Sequence, residues 1–358
     1  MKNTTPISRG PAGNFLGWRK LAFCLFVLTV ATAASAGFRS SIIVFGDSVS
    51  DTGRLFRLTD GGFPPRVAYF EGRESNGPVW VEYLAEDLCH DQKLKNYAVV
   101  GAMTGPSLAV PSGNVWSDTF PGLERTSLRG QLGSFLCDVG DRFDKEALYI
   151  VEGGANDLIA PISELLMNPP ASLQDFFAAV DKIARPTAAN IRCIVEKLKK
   201  RGARHIAVVN VPDFGKAPRL IAFGARASAT VSTIVEMVNE AVAGGLDGLD
   251  AGKKHKTARI DMFGFVDAVA ADPAHFGLTN VTDHFMTLDF STGTVTLASA
   301  AHDAAEQWLF WDDLHPTTRG HELFSDSALK TLQAAFPDLC KDHRDHDDDH
   351  GDDDDDHR

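Results

Sequence analysis

The chain lacks several features that would each have settled its class. Among its 358 residues there is no Cys-x-x-Cys pair, so a structural zinc ribbon has no ligands to grow from. Its five cysteines are too few for a disulfide scaffold. Basic residues are outnumbered, with 35 Lys and Arg against 48 Asp and Glu. The resulting net charge of −13 makes a poor surface for a phosphate backbone, so no nucleic-acid partner is expected. No apolar run has the length that spans a bilayer comfortably. What remains is ordinary for a globular protein: 44 % hydrophobic and 23 % charged residues.

The two ends differ from the body. Residues 1–36 carry four basic residues and no acid. Arg19 and Lys20 precede the apolar stretch 21–33, and Ala34-Ser35-Ala36 follows it. A basic flank, a short apolar run and an Ala-x-Ala site predict a signal peptide over 1–36, cleaved after Ala36, and a secreted or periplasmic protein with no integral membrane segment. Cleavage would remove Cys24. Cys89, Cys137, Cys193 and Cys340 would remain, either paired in one of three ways or as free thiols. Asn280-Val281-Thr282 is a glycosylation sequon if the host modifies exported chains. Residues 341–358 hold ten aspartates and nothing apolar to bury, which predicts a disordered tail. Its His343, His346, His350 and His357 are weak candidates for loose divalent-metal binding; a solvated tail is the plainer reading. The stretch 37–340 is expected to be one domain.

Within that domain, short apolar runs rich in β-branched residues occur at 41–46, 96–99, 148–153, 205–211 and 258–263. Runs of this kind are expected as buried parallel strands. Helical spacing appears over 78–89 (Val79, Tyr83, Leu84), 172–201, 227–248 and 318–335. Pro186 is expected to kink or split the second of these. Strand–helix alternation predicts an α/β fold around a mostly parallel five-stranded sheet. Residues 103–126, rich in Gly, Pro and Ser, are expected as a long surface loop.

In open α/β sheets, sites form at the carboxyl ends of the strands. Gly46-Asp47-Ser48 follows the first run, Gly101 the second and Gly154-Ala155-Asn156-Asp157 the third. Trp311-Asp312-Asp313-Leu314-His315-Pro316 stands near the C-terminus. A Ser, a His with a carboxylate three residues earlier, and extra hydrogen-bond donors suit acyl transfer: the hydroxyl needs a base, the base an orienting acid, and the oxyanion preplaced donors. Singly, each has a plain structural role as a cap or turn residue.

Taken in order, FGDSVSDTG (45–53), RESNGPVWVEYLA (73–85), NYAVVGA (96–102), GAND (154–157), GARHIAVVNVPDFG (202–215) and WDDLHPT (311–317) resemble the blocks of the GDSL, or SGNH, lipases and esterases, with Val49 in place of the usual Leu. The resemblance covers about 38–336 and is closest to secreted bacterial esterases, lipases and phospholipases. It implies a flavodoxin-like three-layer sandwich, no cofactor, and a small-molecule or lipid ester as substrate. It assigns Ser48 as nucleophile, His315 as base and Asp312 as its orienting acid. The oxyanion hole falls to the Ser48 and Gly101 N–H groups and the Asn156 side chain. Val100 stands where the family often has Gly, so its side chain is expected to crowd that hole. Asp313 is a second carboxylate beside His315, and His302 and His321 are further bases outside the motif. Three alternatives remain: a carbohydrate O-acetyl esterase, a metal-dependent phosphoesterase using Asp47, Asp51, Asp157, Asp312, Asp313 and His315, and a non-catalytic binding protein.

Overall fold

A computed structural model describes residues 41–88, 93–301, 303–337 and 339. The expected signal peptide, the acidic tail with its four histidines, Cys89, Cys340 and His302 lie outside the described residues. In chain order the elements are β1 (Ser41–Phe45), α1 (Arg54–Leu58), α2 (Trp80–Leu88), β2 (Lys93–Asn96), α3 (Leu128–Val139), β3 (Leu148–Val151), α4 (Ala155–Met167), α5 (Leu173–Arg201), β4 (His205–Val209), α6 (Pro218–Ile221), α7 (Ala225–Asp250), β5 (Ala258–Ile260), α8 (Met262–Ala271), β6 (Asn280–His284), β7 (Met286–Asp289), β8 (Thr294–Leu297), β9 (Trp308–Phe310) and α9 (Thr318–Ala335).

Strands β1–β5 form one sheet in the order β2-β1-β3-β4-β5, and every pairing in it is parallel. The central strands are apolar on both faces because both faces are covered. Ile42, Val44, Leu148 and Ile150 join Trp80, Leu84, Phe324 and Leu332 of α2 and α9 in one core. Ile43, Phe45, Tyr149 and Val151 join Leu128, Leu132, Phe135, Ile194 and Leu198 of α3 and α5 in the other. The result is the expected three-layer α/β sandwich. Its strand order reverses between β1 and β3, which is where open α/β sheets leave a crevice for ligands.

Several expectations need correction. The second strand is Lys93–Asn96 and not 96–99. An edge strand need not be apolar on both faces, and this one alternates between exposed and half-buried residues. The apolar residues beyond it, Val99 and Val100, are buried with Leu55 and Leu123 in a small cluster of their own. Pro186 does not split α5, which runs unbroken through it. The proline lies on the exposed face, where water can take the carbonyl that loses its partner. Of the apolar residues at helical spacing in that segment, Leu173 and Phe177 are exposed. Residues 103–126 are irregular but not merely superficial, since Thr104, Asn114, Leu123 and Thr126 are buried. Two small sheets escaped the sequence reading, the pair β6–β9 and the antiparallel hairpin β7–β8. Cys137 and Cys193 are free thiols. No helix among the described residues is long and apolar enough to cross a membrane.

Candidate active site

The chain leaves β1 through Gly46, where a side chain would collide with Glu152 Oε2 at 2.7 Å. That close approach lets the turn after β1 fold down onto the end of β3. Asp47 N–H donates to Glu152 (3.1 Å), and so does Ser50 Oγ–H (2.9 Å). Ser48 sits at the head of this turn. Asp51 then accepts from the Leu55 N–H (3.0 Å) and the Val100 N–H (2.9 Å), tying the turn to the loop after β2.

In that second loop Gly101 has φ +77°, and a Cβ there would meet Trp116 at 2.5 Å. Asn114 from the irregular segment 103–126 braces it, with Nδ2–H donating to the Val100 carbonyl at 3.0 Å. Val100 does not crowd the site. Its side chain is buried with Leu55 and Leu123, and its N–H is taken by Asp51. Among the described residues, neither the Ser48 nor the Gly101 N–H donates to a protein group. Asn156, in the first turn of α4, donates from Nδ2 to the Ala102 carbonyl (3.0 Å), with a longer contact to Asp47 Oδ2 (3.4 Å).

The fourth segment arrives between β9 and α9. Asp312 accepts from the backbone N–H groups of Leu314 (2.8 Å) and His315 (2.6 Å), so the loop closes on its own carboxylate. The His315 ring bridges two groups: Nδ1 lies 2.9 Å from Asp312 Oδ2, and Nε2 lies 3.0 Å from Ser48 Oγ. Thus the structure brings Ser48, His315 and Asp312 into one hydrogen-bonded line, all three buried and lining the cleft. A hydroxyl, an imidazole and a carboxylate so aligned can pass a proton from oxygen to ring nitrogen.

Two residues reach this line that the sequence reading did not single out. Tyr69 O–H donates to Asp312 Oδ2 at 2.8 Å. Glu74, buried, places Oε2 2.9 Å from His315 Nε2. Glu74 lies in the segment 73–85, which α9 grips: Ser75 Oγ–H donates to the Pro316 carbonyl (3.0 Å), and Asn76 accepts from the Thr318 N–H (2.8 Å).

The other acids of the motif are engaged elsewhere. Asp313 faces Arg219 (2.7 Å) and does not touch the His315 ring. Asp157 accepts from Thr104 N–H and Oγ1–H. Asp51 is held by the backbone amides just described. The six residues of the phosphoesterase alternative are therefore not gathered into one site, and among the described residues no group of three His, Cys, Asp or Glu is disposed to hold a metal ion.

Burial drives most of the site's electrostatics. It pushes the acids of Asp47, Asp51 and Asp157 up to about 6, and raises Glu152, which faces Asp47 as well, well above its ordinary value. Burial would raise Asp312 too, but His315 and the surrounding N–H donors outweigh it and hold that carboxylate at about 2. Burial lowers His315, yet Asp312 and Glu74 more than offset this and keep the ring well above its ordinary value. His321, buried on α9 and repelled by His315, is pushed down to about 3 and stays neutral.

The cleft above Ser48 and His315 has a volume of about 640 Å³. Its walls are largely apolar, with Phe63, Trp116, Ile159, Phe214, Met286 and Phe290 among them. Met286 and Phe290 come from the β7–β8 hairpin and the turn after β7.

Comparison with known proteins follows this geometry. The GDSL-like lipase/acylhydrolase profile matches residues 42–328. Similar proteins include the phosphatidylcholine-sterol acyltransferase of Aeromonas hydrophila, 26 % identical over 361 residues, a match covering 89 % of this chain and 98 % of that one. The thermolabile hemolysin of Vibrio parahaemolyticus is 24 % identical, over 82 % of this chain and 63 % of its own length. A GDSL esterase/lipase of Arabidopsis thaliana is 26 % identical, over 84 % of this chain and 90 % of its own. Among solved structures, an extracellular lipase of Streptomyces rimosus aligns with 83 % of this chain and 99 % of its own at 14 % identity, with a TM-score of 0.41. The profile spans most of the sequence and all but the ends of the sandwich, so the chain belongs to the GDSL-like lipase/acylhydrolase family and is an ester-bond hydrolase.

Proposed function

We propose that the protein is an exported serine esterase or lipase that cleaves carboxylic esters through an acyl-enzyme. The observation that carries this reading is the unbroken line Ser48 Oγ, His315 Nε2, His315 Nδ1, Asp312, with contacts of 3.0 and 2.9 Å, lining an apolar cleft. Ser48 Oγ–H gives its proton to Nε2 as the oxygen attacks the ester carbonyl. The electron pair displaced onto the carbonyl oxygen is met by the N–H groups of Ser48 and Gly101 and by the Asn156 amide, whose 3.4 Å contact to Asp47 is loose enough to yield. Collapse expels the alcohol, which takes the proton back from Nε2. Water then repeats the sequence on the acyl-enzyme, activated by the same nitrogen. Asp312 holds the ring with Nδ1–H toward itself and balances the imidazolium that forms.

The cleft walls favour an ester with an apolar acyl chain over a carbohydrate acetate, because Phe63, Trp116 and Phe290 offer a chain dispersion contacts and offer a sugar few hydrogen bonds. Export rests on the basic flank, apolar run and Ala-x-Ala site of residues 1–36. The test is hydrolysis of p-nitrophenyl esters from acetate to palmitate by the wild type and by Ser48→Ala, each with and without EDTA. Cleavage by the wild type in the presence of chelator, lost by roughly 10⁴-fold or more in Ser48→Ala, is the expected result. Activity retained by Ser48→Ala, or abolished by EDTA, would overturn the reading.

A further inference from the structure

His315 has two carboxylates, and only one of them has a place in the reaction just described. Asp312 takes Nδ1. Nε2 lies 3.0 Å from Ser48 Oγ and 2.9 Å from Glu74 Oε2. One ring nitrogen carries either a proton or a lone pair, so it cannot serve both neighbours in the same way. With a proton on Nε2, the ring is a cation paired with the Glu74 carboxylate, and Ser48 has no base. With a lone pair there, Nε2 can accept from Ser48, but it then stands against the Glu74 carboxylate.

Glu74 is held where it is. Its side chain is 8 % exposed, and among the described residues its one close polar contact is the ion-pair approach to His315 Nε2. Arg73 before it pairs with Glu82 of α2 at 2.6 Å, and Ser75 and Asn76 after it are bonded to the start of α9. A carboxylate desolvated to this degree and given a single partner favours the charged form of that partner.

The other charges around the ring do not counter it. Asp312 comes from the same loop. Asp47 lies beneath Ser48, and the Tyr69 hydroxyl is already donated to Asp312. Asp313 and Arg219 of α6 are paired with each other at 2.7 Å. His321 of α9 is neutral. The carboxylates of Asp312 and Asp47 thus reinforce Glu74 at the ring, and the Arg219 cation is drawn to Asp313.

We propose that Glu74 is a positioning carboxylate that captures the reacting nitrogen of His315, so that the resting enzyme holds an imidazolium between two acids and hydrolyses esters only where that proton has been lost to solvent. The inference rests on His315 acting as the base. It has two opposing consequences. Fewer molecules are active near neutral pH, because the base is already protonated. In those that are active, the ring is more basic, and the imidazolium formed as Ser48 attacks is better stabilised. Removing the Glu74 charge should reverse both.

The experiment compares kcat/KM for p-nitrophenyl butyrate against pH in the wild type and Glu74→Gln, with His315 followed in each by NMR titration of its ring nitrogens. The wild-type acid limb is expected above pH 7, since an unperturbed imidazole titrates at about 6.5. In Glu74→Gln the limb should move down by about one to three pH units, as loss of a close opposite charge requires. The profiles should cross: the variant is faster in acid and no faster at the alkaline plateau. A purely structural role for Glu74 would lower the whole curve without moving its limb. Superimposed limbs, or a limb moved upward, would overturn the proposal. If neither protein cleaves an ester, the esterase reading fails, and the NMR titrations alone decide whether Glu74 holds the proton. If Glu74→Gln does not fold, the wild-type titration decides: a His315 ring protonated past pH 8 supports the capture, and one titrating at or below the ordinary value refutes it.

Discussion

Two buried acids flank the Ser48 turn, one in the wall of the cleft and one beneath its floor, and their acidities are shifted in opposite directions. Asp312, in the wall, accepts from two backbone N–H groups, the Tyr69 hydroxyl and the His315 ring, and stays ionised down to about pH 2. Glu152, in the floor, accepts from Asp47 N–H and Ser50 Oγ–H but faces the Asp47 carboxylate, and its acid is pushed well above the ordinary range. Burial penalises both. The difference lies in the neighbour: a ring that can carry positive charge in the wall, a second acid in the floor. The same sandwich therefore favours the ionised form of the acid beside His315 and the protonated form of the acid beneath Ser48.

The wall breaks more readily than the floor. Asp312→Asn keeps the shape of the side chain and removes its charge. It should cost roughly 10³–10⁴-fold in kcat, because the ring loses both its preferred tautomer and the counter-charge for the imidazolium. Steady-state kinetics above the acid limb of the profile would check this; a loss under tenfold would mean that Glu74 or Asp313 can substitute. The two regions also respond oppositely to pH. Asp312 has its folded value below the ordinary 3.8, so its contribution to stability is present above about pH 4 and is lost as pH falls toward 2. Asp47 has its folded value raised to about 6, so its contribution is full below pH 4 and is lost as pH rises through 6.

Between wall and floor stands Asn156, whose amide is the one side-chain donor assigned to the oxyanion. Asn156→Ala should cost about 10²–10³-fold in kcat with little change in KM, the signature of a contact made in the transition state only. A change confined to KM would instead make Asn156 a ground-state binding group, and the oxyanion would rest on backbone N–H alone.

The wall was more legible in the sequence than the floor, for a physical reason. Ser48 and Asn156 each follow closely on a strand of the central sheet, so local order along the chain already places them at its carboxyl end; the Asp312–His315 turn follows β9, outside that sheet, and was legible from its own three-residue spacing. Asp312 and His315 even fold upon each other through three residues of backbone. Glu152 reads as the polar end of an apolar strand run, and nothing local says that it will meet Asp47. Glu74 and Tyr69 precede α2 in a stretch without periodicity, and their contacts with His315 and Asp312 exist only once α9 has docked on α2. The same division holds for the fold. Central strands such as Ile42–Phe45 and Leu148–Val151 announce themselves because both faces are covered, whereas the polar edge strand Lys93–Asn96 and the hairpin β7–β8 do not.

The smallest expected effect is the sharpest test of the comparison. If Glu152 is neutral, Glu152→Gln replaces a protonated carboxyl with an amide of the same shape. The amide oxygen can still accept from Asp47 N–H and Ser50 Oγ–H, and the amide N–H can donate to the Asp47 carboxylate as the acid's O–H does. Activity should stay within about threefold at pH 7, and the urea midpoint should barely move. Glu152→Ala removes the acceptor altogether. It strands two buried donors at about 1–3 kcal/mol each, and Trp80 Nε1–H, which donates to Ser50 Oγ at 3.0 Å, loses the support of its partner. A large gap between Gln and Ala is the mark of a neutral acid that works by hydrogen bonding. If Gln were as damaging as Ala, the floor would carry a charge after all, and the contrast with Asp312 would have to be sought in geometry instead of protonation.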